Sequence, residues 1–192
     1  MRFAALMAGG RSAEPILVPG HPSDSLLVKV LLPAADKAPK FLREVPGDFT
    51  LTVRVTLPAL PDADLGDKAQ VAGGLTAIDA NGNRVGIRRL DKRMGNSRYA
   101  LSFAYHNATQ RGGGGQSGGM AGVNGPTFLR LARDGNTLST GWSTDGVAWK
   151  EYGQKVAAGW SESIKVGVIA ENTTGGPVYV SFDRYELTTG KK

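Results

Sequence analysis

Residues 111–120 read R-G-G-G-G-Q-S-G-G-M and match two catalytic motifs at once. One is the G-x-G-x-x-G turn that binds dinucleotides, and the other is the G-x-S-x-G turn around a hydrolase nucleophile, here Ser117. Both motifs need a strand before them and a helix directly after them. Here Asn124-Gly125-Pro126 follow instead and lead into another predicted strand. We therefore interpret 111–120 as a flexible glycine loop without catalytic function.

Basic residues are concentrated between positions 84 and 98, with Asp91 as the one acid among them. They are Arg84, Arg88, Arg89, Lys92, Arg93 and Arg98. Arg84 and Arg88 point the same way if the apolar residues between them face a core, because side chains alternate along a strand. Arg130 occupies the outward register of its own strand.

We predict that Arg84, Arg88 and Arg130 lie on one solvent face and, together with His106, bind a ligand. Guanidinium groups form charge-assisted hydrogen bonds with carboxylates and sulfates. The alternative is an ordinary solvated sheet face. Nucleic acid is not the expected partner, because aromatic residues for base stacking are not interleaved with these cations.

A glycan-cleaving enzyme needs two carboxyl groups, about 5 Å apart in the retaining mechanism. No E-x-D-x-x-E pattern occurs in this sequence. The glutamates of the C-terminal half are isolated, and we interpret them as solvated: Glu151, Glu162, Glu171 and Glu186. A pair assembled from distant strands stays open as an alternative.

Metal sites have little support. Asp62, Asp64 and Asp67 could supply oxygen ligands to Ca²⁺, but a solvated turn has the same composition. His21 and His106 are far apart, and the absence of cysteine excludes thiolate sites and disulfides within this chain. We expect no cofactor.

The composition describes one domain, or one domain with a short appendage. The chain has 192 residues, 41% of them hydrophobic, and a net charge of +6 that allows weak attraction to polyanions but alone speaks only to solubility. No stretch approaches the roughly 20 apolar residues of a membrane-spanning helix. The first residues contain no clear signal peptide.

Alternating apolar and polar residues dominate after Pro46. Residues 49–57, 98–105, 128–152, 164–172 and 178–187 are predicted strands, and Asn81-Gly82 suits a hairpin turn. Before Pro46, residues 22–33 predict a short helix, with Leu26, Leu27, Val30 and Leu31 on one face. The expected fold is an all-β, two-sheet antiparallel jelly-roll sandwich with a short N-terminal helix.

The expected organisation is an N-terminal helical appendage and linker over 1–45, the sandwich over 46–188 and a tail over 189–192. We assign Trp142 and Trp149 to the core, and Trp160, which stands beside a predicted turn, to the surface.

A combination of short motifs resembles a known type of domain. These are Leu129-Arg130-Leu131, Gly135-Asn136, Ser143-Thr144-Asp145-Gly146, Trp149, Val166-Gly167-Val168 and Phe182-Asp183. In this order they resemble bacterial concanavalin A-like, laminin-G-like jelly-roll domains of uncharacterised function, over about residues 46–188. The resemblance implies two facing antiparallel sheets, and relatives with this fold often bind or process glycans.

Residues 5–32 resemble the closing part of cytochrome-c-like domains of bacterial surface proteins. The C-x-x-C-H haem motif of those domains has no counterpart here, so this chain cannot attach haem. We expect a truncated gene product, a late start codon or an excised piece of a longer architecture.

These observations favour a non-catalytic recognition module of an extracytoplasmic bacterial protein that binds an acidic or neutral glycan. A glycan-processing enzyme (glycoside hydrolase or lyase) with a dispersed carboxylate pair is the first alternative, and a ligand-free structural domain is the second. The oligomeric state is open.

Overall fold

The computed structural model describes residues 13–16, 26–30, 38, 40–61, 69–94, 97–108, 114–121, 124–157, 159–174 and 176–190. These residues form β-strands that pair antiparallel, and no helix occurs among them. The predicted all-β jelly-roll sandwich is confirmed.

The strands form two sheets. Sheet I contains, in spatial order, β1 (Ala13–Ile16), β2 (Leu26–Val30), β14 (Val178–Thr189), β4 (Phe49–Thr56), β9 (Thr127–Asp134), β10 (Thr137–Ser143) and β11 (Lys150–Glu151), with β12 (Val156–Ala157) also paired to β10. Sheet II contains β3 (Lys40–Pro46), β13 (Ser163–Asn172), β5 (Gln70–Ile78), β6 (Arg84–Met94), β7 (Ser97–Asn107) and β8 (Gly114–Ala121).

The core lies between the two sheets and is built by alternation. In β4, every second residue from Phe49 to Val55 is fully buried, while the threonines and Arg54 between them are partly exposed. Sheet II contributes Leu75, Ile87 and Val168 to the same cluster. Burial of such aliphatic side chains stabilises the fold by about 1.5–3 kcal/mol each.

The turn between β5 and β6 forms as its sequence predicts. Gly82 has a φ of 85°, in the left-handed region that glycine adopts without strain. Asn83 is fully buried, and its backbone and side-chain N–H groups donate to the two carboxylate oxygens of Asp79 at 2.8 and 2.9 Å. The predicted hairpin is confirmed.

The helix predicted over 22–33 is wrong, because Leu26–Val30 is strand β2. It pairs with β14, where Val30 faces Val178 and Val28 faces Val180 in the Cα register. Leu26, Val28 and Val30 also alternate at period two, and a short apolar run satisfies both periods. The backbone groups of β14 select the strand over the helix, because β2 pairs with them. The division of the chain at residue 46 stays a prediction.

The interpretation of the glycine stretch as a loop is also wrong for residues 114–120. They belong to β8, which pairs with β7 from Asn107↔Gly114 to Ala100↔Ala121. Glycine has little strand preference of its own, but β7 offers a row of backbone hydrogen-bonding groups that the stretch can pair with. No described residue after β8 is helical, so neither catalytic motif has its required context.

The burial of two of the three tryptophans differs from the prediction. Trp142 is buried in the core, as predicted. Trp149 is only half-buried, on the outside of sheet I, because it lies in the connection beyond β10 and outside the strand register. Trp160, expected at the surface, is 7% exposed, and its Nε1 donates to the carbonyl of Val156 at 3.3 Å.

Gly73, in the middle of β5, sets how closely the sheets approach. A Cβ there would lie 2.6 Å from Val180 Cγ1 and 2.8 Å from Val55 Cγ1, both in stiff, buried side chains of sheet I. We expect Gly73→Ala to lower the free energy of unfolding by roughly 1–3 kcal/mol through overpacking, measured by urea denaturation.

Gly159→Ala is the matched control, since a Cβ there meets nothing within 4 Å. It should change the stability by less than about 0.5 kcal/mol. Equal effects of the two substitutions would contradict the assigned role of Gly73.

Candidate ligand-binding face

The outer face of sheet II carries side chains in rows that run across the strands. Residues between them, such as Val85, Ile87 and Leu101, are in the core, so the rows face away from sheet I. From β13 through β5 and β6 to β7, the cationic row is Lys165, Ile78, Arg84 and His106. The middle row is Gly167, Thr76, Gly86 and Ala104. The Arg88 row is Ile169, Gly74, Arg88 and Ser102, and the Glu171 row is Glu171, Ala72, Leu90 and Ala100.

The cationic row is open to solvent. Arg84 and Lys165 are exposed, and His106, the cross-strand partner of Arg84, is half-buried. Among the described residues, neither Arg84 nor Lys165 forms an ion pair or a side-chain hydrogen bond. Glu44 on β3 is the cross-strand neighbour of Lys165. Lys165 thus has a carboxylate directly opposite it, whereas Arg84 and His106 have none in their row among the described residues.

The middle row is a low floor because its side chains are small. The Thr76 hydroxyl is buried and donates to the carbonyl of Val85 at 3.2 Å, so it does not rise above the sheet. The packing of β3 requires a glycine at position 167, because a Cβ there would lie 1.9 Å from the Phe41 carbonyl oxygen of β3. Gly86 and Ala104 leave the space beside Arg84 and His106 unfilled.

Arg88 is engaged within the protein. Its Nη1 donates to Glu171 Oε1 at 2.5 Å, two strands away. The side chain crosses β5 at Gly74, where a Cβ would lie 2.7 Å from Arg88 Cγ and 2.2 Å from the Ile87 carbonyl oxygen. The Glu171 side chain is only 5% exposed, against 24% for Arg88. The pair compensates both charges, and the interpretation of Glu171 as solvated is wrong.

Arg130 lies on the other sheet. It faces outward from β9, next to Gly141 of β10, and its guanidinium carbon lies 4.6 Å from the ring centroid of Trp149. The prediction that Arg84, Arg88 and Arg130 share one solvent face is therefore wrong. Alternation shows that a side chain points outward but not from which sheet. The ligand-binding function of Arg84, Arg88, Arg130 and His106 stays a prediction.

The outer side of sheet I is held by local interactions. Arg54 donates to both carboxylate oxygens of Asp183, at 2.5 and 3.0 Å, and this hydrogen bonding raises the pKa of Arg54 above its ordinary value. In the turn after β10, backbone N–H groups of Val147 and Ala148 donate to Asp145 and lower its pKa to about 2. These groups serve the strand pairing and the turn.

The buried carboxylates of the described residues each have a partner within the protein. Asp91, on the inner side of β6, accepts two hydrogen bonds from Arg98 at 2.7 and 2.8 Å. On the outer face of sheet II, the carboxylates of the described rows are Glu44 and Glu171. Glu44 lies opposite position 165, which is six residues along β13 from Glu171. At roughly 3.3 Å per residue, Glu44 and Glu171 are therefore about 20 Å apart. The two carboxyl groups of glycosidases are at most about 9.5 Å apart.

Over the described ranges, no group of three or more histidine, cysteine, aspartate or glutamate side chains could hold a metal ion. The calcium candidates Asp62, Asp64 and Asp67 lie outside these ranges. No helix of the described residues is long and apolar enough to cross a membrane.

Sequence reasoning missed Glu171 and Lys165. Both lie in the apolar run of β13, whose neighbours Val166, Val168 and Ile169 are buried. The sequence signal for an ion pair was a carboxylate near the end of an apolar strand, because a charge is rarely buried without a partner.

No protein-family model matches the sequence, and no curated protein matches it. Solved structures do match. A functionally unknown protein from Saccharomyces cerevisiae is 16% identical, with a TM-score of 0.67 over 94% of this chain and 98% of that chain. A GH43 protein from Bacillus licheniformis is 14% identical, with a TM-score of 0.62 over 95% of this chain and 38% of its own.

The marine PL7 alginate lyase from Zobellia galactanivorans is 14% identical, with a TM-score of 0.51 over 86% of this chain and 78% of that chain. These likenesses show the jelly-roll sandwich fold. The cytochrome-c-like resemblance of residues 5–32 receives no support from them, and Leu26–Val30 forms a strand of sheet I.

The Arg88–Glu171 pair yields a stability prediction. Glu171→Gln removes the charge that compensates Arg88 while keeping the side-chain size, so the free energy of unfolding should fall by roughly 1–3 kcal/mol. The expected loss of stability is smaller than for a fully buried ion pair, because Arg88 is partly hydrated. Chemical denaturation at neutral pH measures the change.

Glu151→Gln serves as the control, because Glu151 and Lys155 form a solvent-exposed pair at 3.6 Å. Its effect should stay below about 0.5 kcal/mol. A Glu171→Gln protein as stable as the wild type would refute a structural function for the buried pair.

Proposed function

We propose that this protein is a non-catalytic glycan-recognition module whose binding surface is the outer face of sheet II. The proposal rests on the small side chains of the middle row, which form a low floor. Arg84 and His106 border this floor on one side, and Arg88 and Ser102 border it on the other. Sugar rings can lie on a low floor, and the bordering donors can bind their hydroxyl groups.

The comparisons support a carbohydrate ligand in a limited way. Proteins with this fold include the GH43 protein and the alginate lyase, an enzyme that acts on a polysaccharide. The chain corresponds to 38% of the GH43 chain, so the likeness concerns one part of that protein. An extracytoplasmic bacterial location, where polysaccharides are accessible, is part of the proposal.

Binding without catalysis is favoured by the arrangement of carboxylates. The two carboxylates in the described rows of this face are too far apart to act on one glycosidic bond, and Glu171 is held by Arg88. A recognition surface does not need such a pair. Hydrogen-bond donors around a floor that admits a sugar ring are sufficient.

Filling the floor should weaken binding. We expect Ala104→Gln to weaken binding by about tenfold or more, equivalent to roughly 1.4 kcal/mol, because the longer side chain covers Gly86 and occupies the ligand's place. Isothermal titration calorimetry against soluble xylan, β-glucan, alginate and polygalacturonate measures the affinity.

Ala132→Gln is the matched control, since Ala132 is also a half-buried, outward-facing alanine in mid-strand, but on sheet I. It should bind as the wild type does. Equal weakening by both variants would exclude the outer face of sheet II as the site. Absence of binding across the panel would favour the ligand-free structural domain, and release of shortened or unsaturated oligosaccharides would favour the enzyme.

A further inference from the structure

We infer that the ligand is an anionic polysaccharide and that the cationic row binds its acidic groups, with Lys165 as a contact residue alongside Arg84 and His106. This inference rests on the proposed function, since it names the class of glycan bound by the same face. The shared chemistry is an oxyanion on a sugar chain, either a carboxylate or a sulfate.

The first argument is the distribution of charge on the outer face of sheet II. Arg88 and Glu171 compensate each other at 2.5 Å, so these two charges are engaged within the protein. Arg84 and Lys165 have no ion-pair partner among the described residues, and both are exposed. The row therefore presents two exposed cations, Arg84 and Lys165, with Glu44 opposite Lys165 on β3.

The second argument is the geometry of that row. Arg84 on β6 and Lys165 on β13 are separated by the single strand β5, where Ile78 lies between them in the register. Two strand spacings of about 4.8 Å place their Cα atoms roughly 10 Å apart. A chain lying across the strands can therefore reach both cations, with His106 beyond Arg84 on β7.

The third argument is the floor beside the row. Gly86 and Gly167 lie two residues from Arg84 and Lys165 on their respective strands, and neither has a side chain. The sugar rings can therefore lie over the middle row while their acidic substituents point to the cations. Arginine also matches carboxylate and sulfate oxygens with two parallel N–H donors, which favours an oxyanion over a hydroxyl.

The test must separate this site from the overall charge of +6, which attracts any polyanion. We compare Arg84→Gln/Lys165→Gln with Lys150→Gln/Arg184→Gln, a control that removes two positive charges from exposed residues of sheet I. The ligands are polygalacturonate, the same polymer with its carboxylates methyl-esterified, and dextran sulfate. Circular dichroism and melting temperature check folding, and neither double variant should shift the melting temperature by more than about 3 °C.

We expect the wild type to bind polygalacturonate about tenfold or more tightly than its methyl ester, with an affinity that falls as salt rises. The site variant should lose about tenfold in affinity for polygalacturonate or dextran sulfate, and the control variant less than about threefold. Loss confined to the site variant with either anionic polymer supports the inference.

Equal affinity for polygalacturonate and its methyl ester would overturn the inference while leaving the proposed function intact. Equal losses in the two double variants would overturn it as well, because overall charge would then account for the attraction. Failure of every polymer, neutral or anionic, to bind would instead refute the proposed function.

Discussion

Gly73 and Gly74 are neighbours in the middle of β5 and face opposite sides of sheet II, and both sides depend on the absence of their side chains. On the inner side, Gly73 admits Val55 and Val180 of sheet I to van der Waals contact. On the outer side, Gly74 leaves the surface over which Arg88 crosses to Glu171. One dipeptide thus sets the spacing of the sheets and the path of the Arg88–Glu171 ion pair across the outer face.

The ion pair in turn organises the charge of that face. Separating a guanidinium from a nearly buried carboxylate costs free energy, so Arg88 is less available to a ligand than an unpaired arginine. The cations that remain available are those of the neighbouring rows, chiefly Arg84 and Lys165. The structural ion pair and the proposed recognition therefore involve different basic residues of the same sheet, which composition alone does not reveal.

The outside of sheet I is organised differently. Two of its basic residues are engaged with neighbours, Arg54 with the carboxylate of Asp183 and Arg130 with the ring of Trp149. The turn after β10 is held by hydrogen bonds to Asp145. These contacts stabilise strand pairing and turn geometry.

The sequence by itself determined the elements with strong local patterns. The alternation of residues 49–57 and the Asn81-Gly82 turn specify strands and a hairpin, because side-chain period and positive φ are local properties. It also determined that Arg84, Arg88 and Arg130 point away from a core.

Only the tertiary structure decided which strands become neighbours. It converted Leu26–Val30 into a strand against β14, paired the glycine stretch with β7, buried Trp160 and Glu171, and placed Arg130 on the opposite sheet from Arg84. The physical reason is that these outcomes depend on backbone partners far away in sequence, whose hydrogen bonds and packing override weak local preferences.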